Sequence, residues 1–84
     1  MLKVGDRVVF VPKDRLPEHL RKNDDYAEFV KNSDPRGPFI VEELMAHYKI
    51  VRLKRIGSTK CYNGWWVPIG CFELEDWLEA IPLG

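Results

Sequence analysis

The sequence predicts a small, mainly β domain in which five short strands close into a barrel. Three observations carry that expectation. Residues with high β propensity fall in short runs, such as Arg7-Val8-Val9-Phe10-Val11 and Phe39-Ile40-Val41. Turn-forming clusters separate them: Gly5-Asp6, residues 32–38, Gly57-Ser58-Thr59, Asn63-Gly64 and Pro68-Ile69-Gly70. A chain of 84 residues has room for one core, because domains run to about 50–250 residues. The whole chain, 1–84, is therefore expected to form one domain, and barrel closure would remove the edges that short strands expose.

The first strand is expected over Lys3–Val11, after the Gly5-Asp6 turn has set its direction. Pro12 ends it, since proline has no N–H to give to a ladder. Residues 13–38 form one long excursion. Pro17 is expected to open a short helix carrying Leu16 and Leu20, and Glu18 suits its first turn. Asp24 or Asp25 is expected to cap a second helix with Tyr26, Phe29 and Val30 on one face. The Asn32-Ser33-Asp34-Pro35-Arg36-Gly37-Pro38 cluster stops it.

Phe39–Met45 reads as the second strand and Ala46-His47 as a tight corner. Tyr48–Ile56 reads as the third, with Val51 and Leu53 alternating against Arg52 and Lys54. Asn63-Gly64 between Cys61-Tyr62 and Trp65-Trp66-Val67 is the strongest short hairpin signal in the chain. Pro68-Ile69-Gly70 turns the chain into a last strand, Cys71–Leu74, and Asp76 would cap a terminal turn bearing Trp77, Leu78 and Ile81.

Two segments resemble the SH3-like β-barrel superfamily. Val4-Gly5-Asp6-Arg7-Val8-Val9 is similar to its opening, where a Gly-Asp turn precedes the first strand. The run from Gly64 through Trp65-Trp66-Val67-Pro68 to Leu74 is similar to its end, where an aromatic-apolar-Pro run enters a single 3₁₀ turn before the final strand. The resemblance implies a small five-stranded SH3-like barrel with a long, partly helical loop after strand 1. In the wider superfamily, the small stand-alone accessory barrels of bacteria and phages suit a chain of this size. It departs from eukaryotic-type SH3 domains, lacking their Ala-Leu-Tyr-Asp-Tyr-like start. Phe72 also falls four residues after Pro68, where their aromatic falls three after. Recognition of PxxP peptides is not implied, and a fold does not deliver a function.

Lys and Arg number 13, as do Asp and Glu, so the formal net charge is zero and a general polyanion binder is excluded. The balance is not local. Residues 49–60 hold Lys49, Arg52, Lys54, Arg55 and Lys60 without an acid, and 73–79 hold Glu73, Glu75, Asp76 and Glu79 without a base. Either the two segments neutralise each other, or they give the surface a direction. No run of about 18 apolar residues suits a membrane span, and the start shows no signal-like region, so the cytoplasm is the expected location. Cys61 and Cys71 are too few for a disulfide framework and are expected as reduced, packed thiols.

No catalytic constellation is present. His19, His47, Cys61 and Cys71 lack the local spacing of a zinc site, and neither metal nor cofactor is expected. The acid pairs Asp24-Asp25, Glu42-Glu43 and Glu75-Asp76 are sequence neighbours, which diverge on a strand and are solvated in a loop. Trp65-Trp66 is the sharpest signal. Neighbours on a strand face opposite ways, so Trp65 and Val67 are expected inward and Trp66 with Pro68 outward. Exposed Trp beside Pro suits docking; the alternative is that Trp66 packs under the 13–38 excursion. The expected function is a non-catalytic module that binds or inhibits a protein partner. It would use Trp66, Pro68 and Tyr48 with the excursion, while Arg52 and Lys54 set the orientation. Two other readings stay open. One is a nucleic-acid or nucleotide binder that uses the 49–60 basic strand and its aromatics; the other is a structural homo-oligomer.

Overall fold

Five segments pair as strands: β1 (Arg7–Phe10), β2 (Phe39–Met45), β3 (Ile50–Arg55), β4 (Trp66–Pro68) and β5 (Phe72–Leu74). The computed structural model describes residues 2–75. Every ladder is antiparallel, and the strands lie in the order β4-β3-β2-β1-β5. Between β1 and β2 the chain passes through a 3₁₀ turn (Lys13–Arg15), α1 (Glu18–Arg21) and α2 (Asp24–Lys31). Further 3₁₀ turns at Ala46–Tyr48 and Ile69–Cys71 link β2 to β3 and β4 to β5.

The sheet is open, which corrects the expectation of a closed barrel. β4 and β5 end the strand order, with no ladder between them among the described residues. The reason lies in what fills the core. Val8, Phe39, Val41, Val51, Leu53 and Val67 line one face of the sheet, each almost fully buried. That face is covered by the excursion, whose Leu16, Tyr26 and Phe29 belong to the same buried cluster. A closed barrel fills its interior from its own strands; here a helix supplies that filling. Phe29 meets Phe39 at 5.3 Å and Phe72 at 5.6 Å between ring centroids, both edge-to-face.

The short helix α2 is held by its cap and its apolar stripe. Asn23, with extended backbone, accepts the Tyr26 N–H at 3.0 Å through Oδ1. The cap is therefore one residue earlier than the expected Asp24 or Asp25. Those acids fall in the first turn, where they meet the positive end of the helix dipole. After α2, Ser33 is buried, and Gly37 takes a left-handed φ of 61° that closes the turn onto the Asp34 carbonyl. A Cβ there would stand 3.2 Å from the Phe39 ring, so glycine also makes room for the core. Gly70 is a second close approach, because its missing Cβ leaves the space that the Leu20 side chain of α1 enters.

Several strand boundaries differ from the sequence expectation. β1 begins at Arg7 because residues 3–6 form a turn, with Lys3 N–H donating to Asp6 Oδ2. β3 begins at Ile50 because Lys49 adopts a left-handed conformation that ends the preceding 3₁₀ turn. The expected hairpin around Asn63-Gly64 keeps its turn but loses its first arm. Tyr62 N–H donates to Ser33 Oγ at 2.9 Å and Asp34 N–H to the Lys60 carbonyl at 2.8 Å. The 60–62 segment is thus tied to the end of α2 instead of to β4. Residues 76–84, where a terminal turn was expected, lie outside the described residues.

Asn23→Ala should lower stability by about 1 kcal/mol in urea unfolding, whereas Asp24→Ala or Asp25→Ala should each cost no more than about half of that. Equal losses at all three positions would contradict the cap assignment.

Candidate functional site

The ladders decide which side chains share the face turned away from the excursion. Val51 pairs with Val67, and both are buried, so their neighbours point the other way. Pro68 lies opposite Ile50, Ile50 opposite Met45, Trp66 opposite Arg52, and Lys54 opposite Ile40. Of the residues expected at a partner site, Trp66, Pro68, Arg52 and Lys54 are thus brought onto one outer face. Tyr48 stands beside it, in the 3₁₀ turn before β3, and is 70% exposed. Its ring meets His47 edge-on at 5.2 Å. Ile69 N–H, donating to the Lys49 carbonyl, ties that turn to the end of β4.

Trp65 and Trp66 separate as the strand alternation requires. Trp65 stacks on Tyr62 at 4.9 Å and donates from Nε1 to the Asp25 carbonyl of α2 at 3.2 Å. The excursion therefore rests on Trp65, and Trp66 is not the residue beneath it. Trp66 is half-buried, with its ring 5.3 Å from the Arg52 guanidinium carbon. This cation–π contact comes on top of their cross-strand pairing.

Arg52 is the best-anchored cation of the face. Its Nη2 lies 3.2 Å from Glu42 and 2.6 Å from Glu43. Two consecutive acids reach one guanidinium because the β2–β3 register shifts between Val41 and Glu43, leaving Glu42 as the extra residue of a bulge. The sequence expectation that neighbouring acids diverge fails here for that reason. Arg52 Nε is buried without an acceptor. Two carboxylates and an indole thus fix the guanidinium, whereas Lys54 is exposed and has no carboxylate partner among the described residues.

Among the described residues the two charge blocks form no ion pair with each other. Glu73 pairs with Arg15 at 3.0 Å and Glu75 with Arg7 at 3.2 Å, so the described acids of 73–79 are met by bases from the N-terminal half. Within 49–60, Arg52 alone has a carboxylate partner among the described residues. Lys49 and Lys54 remain exposed beside the apolar strip.

Met45 and Ile50 complete that strip, and the sequence reading missed both. Met45 is 40% exposed at the end of β2. The signal for Ile50 was present, since it alternates in step with Arg52 and Lys54; Met45 required the register. Both cysteines are free. Burial pushes the Cys71 thiol up to about 12, and burial with the nearby Glu42 pushes Cys61 up to about 11. Both are neutral thiols at physiological pH. Among the described residues no three of His, Cys, Asp and Glu gather as a metal-binding group, and no helix is long and apolar enough to cross a membrane. Comparison with known protein families, curated proteins and solved structures finds no match.

Arg52→Gln should cost about 1 kcal/mol, at the upper end for partly exposed ion pairs, because it leaves Glu42 and Glu43 facing each other. The loss should shrink in high salt; a loss unchanged by salt would assign the effect to packing on Trp66. A second expectation concerns alkaline pH. The native thiols hold their protons above the ordinary value of 9.0, so between about pH 9 and 12 the native state binds more protons than the unfolded chain. Their contribution to stability is complete below pH 9 and is lost as pH rises. Thermal unfolding of Cys71→Ala from pH 8 to 11 should therefore show a flatter decline than the parent.

Proposed function

We propose that the chain is a non-catalytic binding module that docks a protein partner on the outer face of β2, β3 and β4. The observation that carries this reading is the apolar strip of Met45, Ile50, Pro68 and Trp66 on one sheet face, bordered by exposed Tyr48. Met adapts its shape to different surfaces, and Trp is prominent among residues that dominate binding energy. Lys49 and Lys54 beside the strip, with no carboxylate of their own among the described residues, define the partner's chemistry. It is a protein segment offering an aliphatic or aromatic side chain next to acidic residues. The anchored guanidinium of Arg52 gives that segment a fixed direction.

The architectural part of the proposal is an SH3-like arrangement held open by its excursion. Its support is the position of β1 between β5 and β2, the long connection from β1 to β2, and the 3₁₀ turn between β4 and β5. In action, such a module works by occupancy: a preformed surface covers or bridges its target, in the manner of a small bacterial or phage accessory protein.

The test begins with the 84-residue chain as bait in a host lysate and continues with the captured protein in purified form. Titration should show Met45→Glu and Trp66→Ala weakening the complex by about ten-fold or more. Met45→Glu, at an exposed position, should leave the thermal midpoint within about 2 °C of the parent. Unchanged affinity in both variants would overturn the docking face. A salt-sensitive complex with an oligonucleotide, or dimerisation abolished by the same two variants, would transfer the face to nucleic acid or to a second copy.

A further inference from the structure

The excursion between β1 and β2 contains a separate feature on the opposite side of the sheet. A cavity of about 430 Å³ is lined by Lys13, Arg21, Tyr26, Ala27, Val30 and Lys31. Its cations come from three different pieces of chain: Lys13 from the 3₁₀ turn, Arg21 from α1 and Lys31 from the last turn of α2. Among the described residues no acid lines the wall. None of these cations has a carboxylate partner among the described residues, whereas Arg7, Arg15, Lys22 and Arg52 all do. Like charges gathered in a concave, partly apolar site repel one another and focus a positive field there. Tyr26, its ring nearly buried, forms part of the wall; burial raises its pKa, so its hydroxyl remains a donor.

A second cleft of about 300 Å³ adjoins the first, and Lys13, Tyr26 and Val30 line both. Its other walls are apolar side chains, Phe10, Val11, Pro12 and Pro35. The two neighbouring clefts place a cationic wall beside an apolar one, the combination that small-molecule sites use to hold one charged group and one greasy body.

We propose that this site binds a small organic phosphate monoester, with the phosphate among Lys13, Arg21 and Lys31 and the apolar body against Phe10, Val11 and Pro35. A phosphate fits better than a carboxylate on charge: it carries about −1.5 to −2 near neutral pH, against three cations, and offers three acceptor oxygens. Arg21 can grip two of those oxygens at once, and the lysines add point charges. The group can come from a free metabolite or from a phosphorylated side chain; the chemistry recognised is the same. The proposal is independent of the outer docking face, since the two share no residue.

The test is a calorimetric and ¹⁵N NMR titration of the 84-residue chain with phenyl phosphate at low ionic strength. Saturable binding is expected, with shifts concentrated at Arg21, Ala27 and Lys31. Inorganic phosphate, lacking the apolar body, should bind more weakly by about ten-fold. The double variant Arg21→Gln/Lys31→Gln should lose about ten-fold or more in affinity for phenyl phosphate. Both positions are exposed, so the thermal midpoint should hold, and Trp66→Ala should bind phenyl phosphate like the parent. A short phosphotyrosine peptide separates the sources: equal or tighter binding assigns the group to a protein, weaker binding to a free metabolite. Phenyl phosphate binding no tighter than inorganic phosphate, or undiminished in the double variant, would overturn the proposal.

Discussion

All four phenylalanines of the chain meet in one cluster, and the rest of the structure depends on that meeting. Phe10 stacks on Phe72 at 5.2 Å, joining β1 to β5, and touches Phe39 edge-on at 5.5 Å, joining β1 to β2. Phe29 reaches all three from α2. A fully buried side chain of this size contributes about 1.5–3 kcal/mol, and edge-to-face pairs add about 0.5–1.5 each. The ion pairs at the surface contribute about 0–1 kcal/mol apiece. Magnitude therefore assigns the fold to the aromatic cluster and leaves the ion pairs to set orientation. Because Phe29 supplies part of the core from outside the sheet, β4 and β5 need not meet.

That division gives the molecule two surfaces with different chemistry. The inner face is spent on the excursion: Val8, Val51 and Val67 look toward α2, and Trp65 holds its first turn through the Asp25 carbonyl. The outer face keeps what the core did not use, namely Trp66, Pro68, Ile50 and Met45. Electrostatics follows the same partition. Arg7, Arg15 and Arg52 are bound to carboxylates, and among the described residues the cations without a carboxylate partner include Lys49 and Lys54 beside the outer strip and Lys13, Arg21 and Lys31 around the excursion's cavity.

Much of the frame was legible in the sequence. β2 matches its expected span of Phe39–Met45, because Pro38 and the Ala46-His47 corner bound the strand-forming run on both sides. The alternation of Val51 and Leu53 with Arg52 and Lys54 also settled the faces of β3 in advance. What stayed hidden depends on contacts between distant residues. Closure failed because Phe29, read as one apolar position on a short helix, inserts among strand residues far from it in the chain. The Asn63-Gly64 turn formed without a hairpin because Ser33 claimed the Tyr62 N–H. The pairing of Glu42 and Glu43 on one guanidinium rests on a bulge, which no local pattern announces. The shared outer facing of Trp66, Pro68, Arg52 and Lys54 was readable from strand alternation, while that of Met45 appeared only with the ladder register.

Helix α2 is part of the core and not a loop laid upon it. Native-state hydrogen exchange tests this most directly, because it separates local opening from global unfolding. If Phe29 completes the core, the slowest amides of α2 should exchange with the same free energy as those of β1 and β2, and with the same denaturant dependence. Amides of α2 that exchange through a low-energy opening while the sheet stays protected would contradict it.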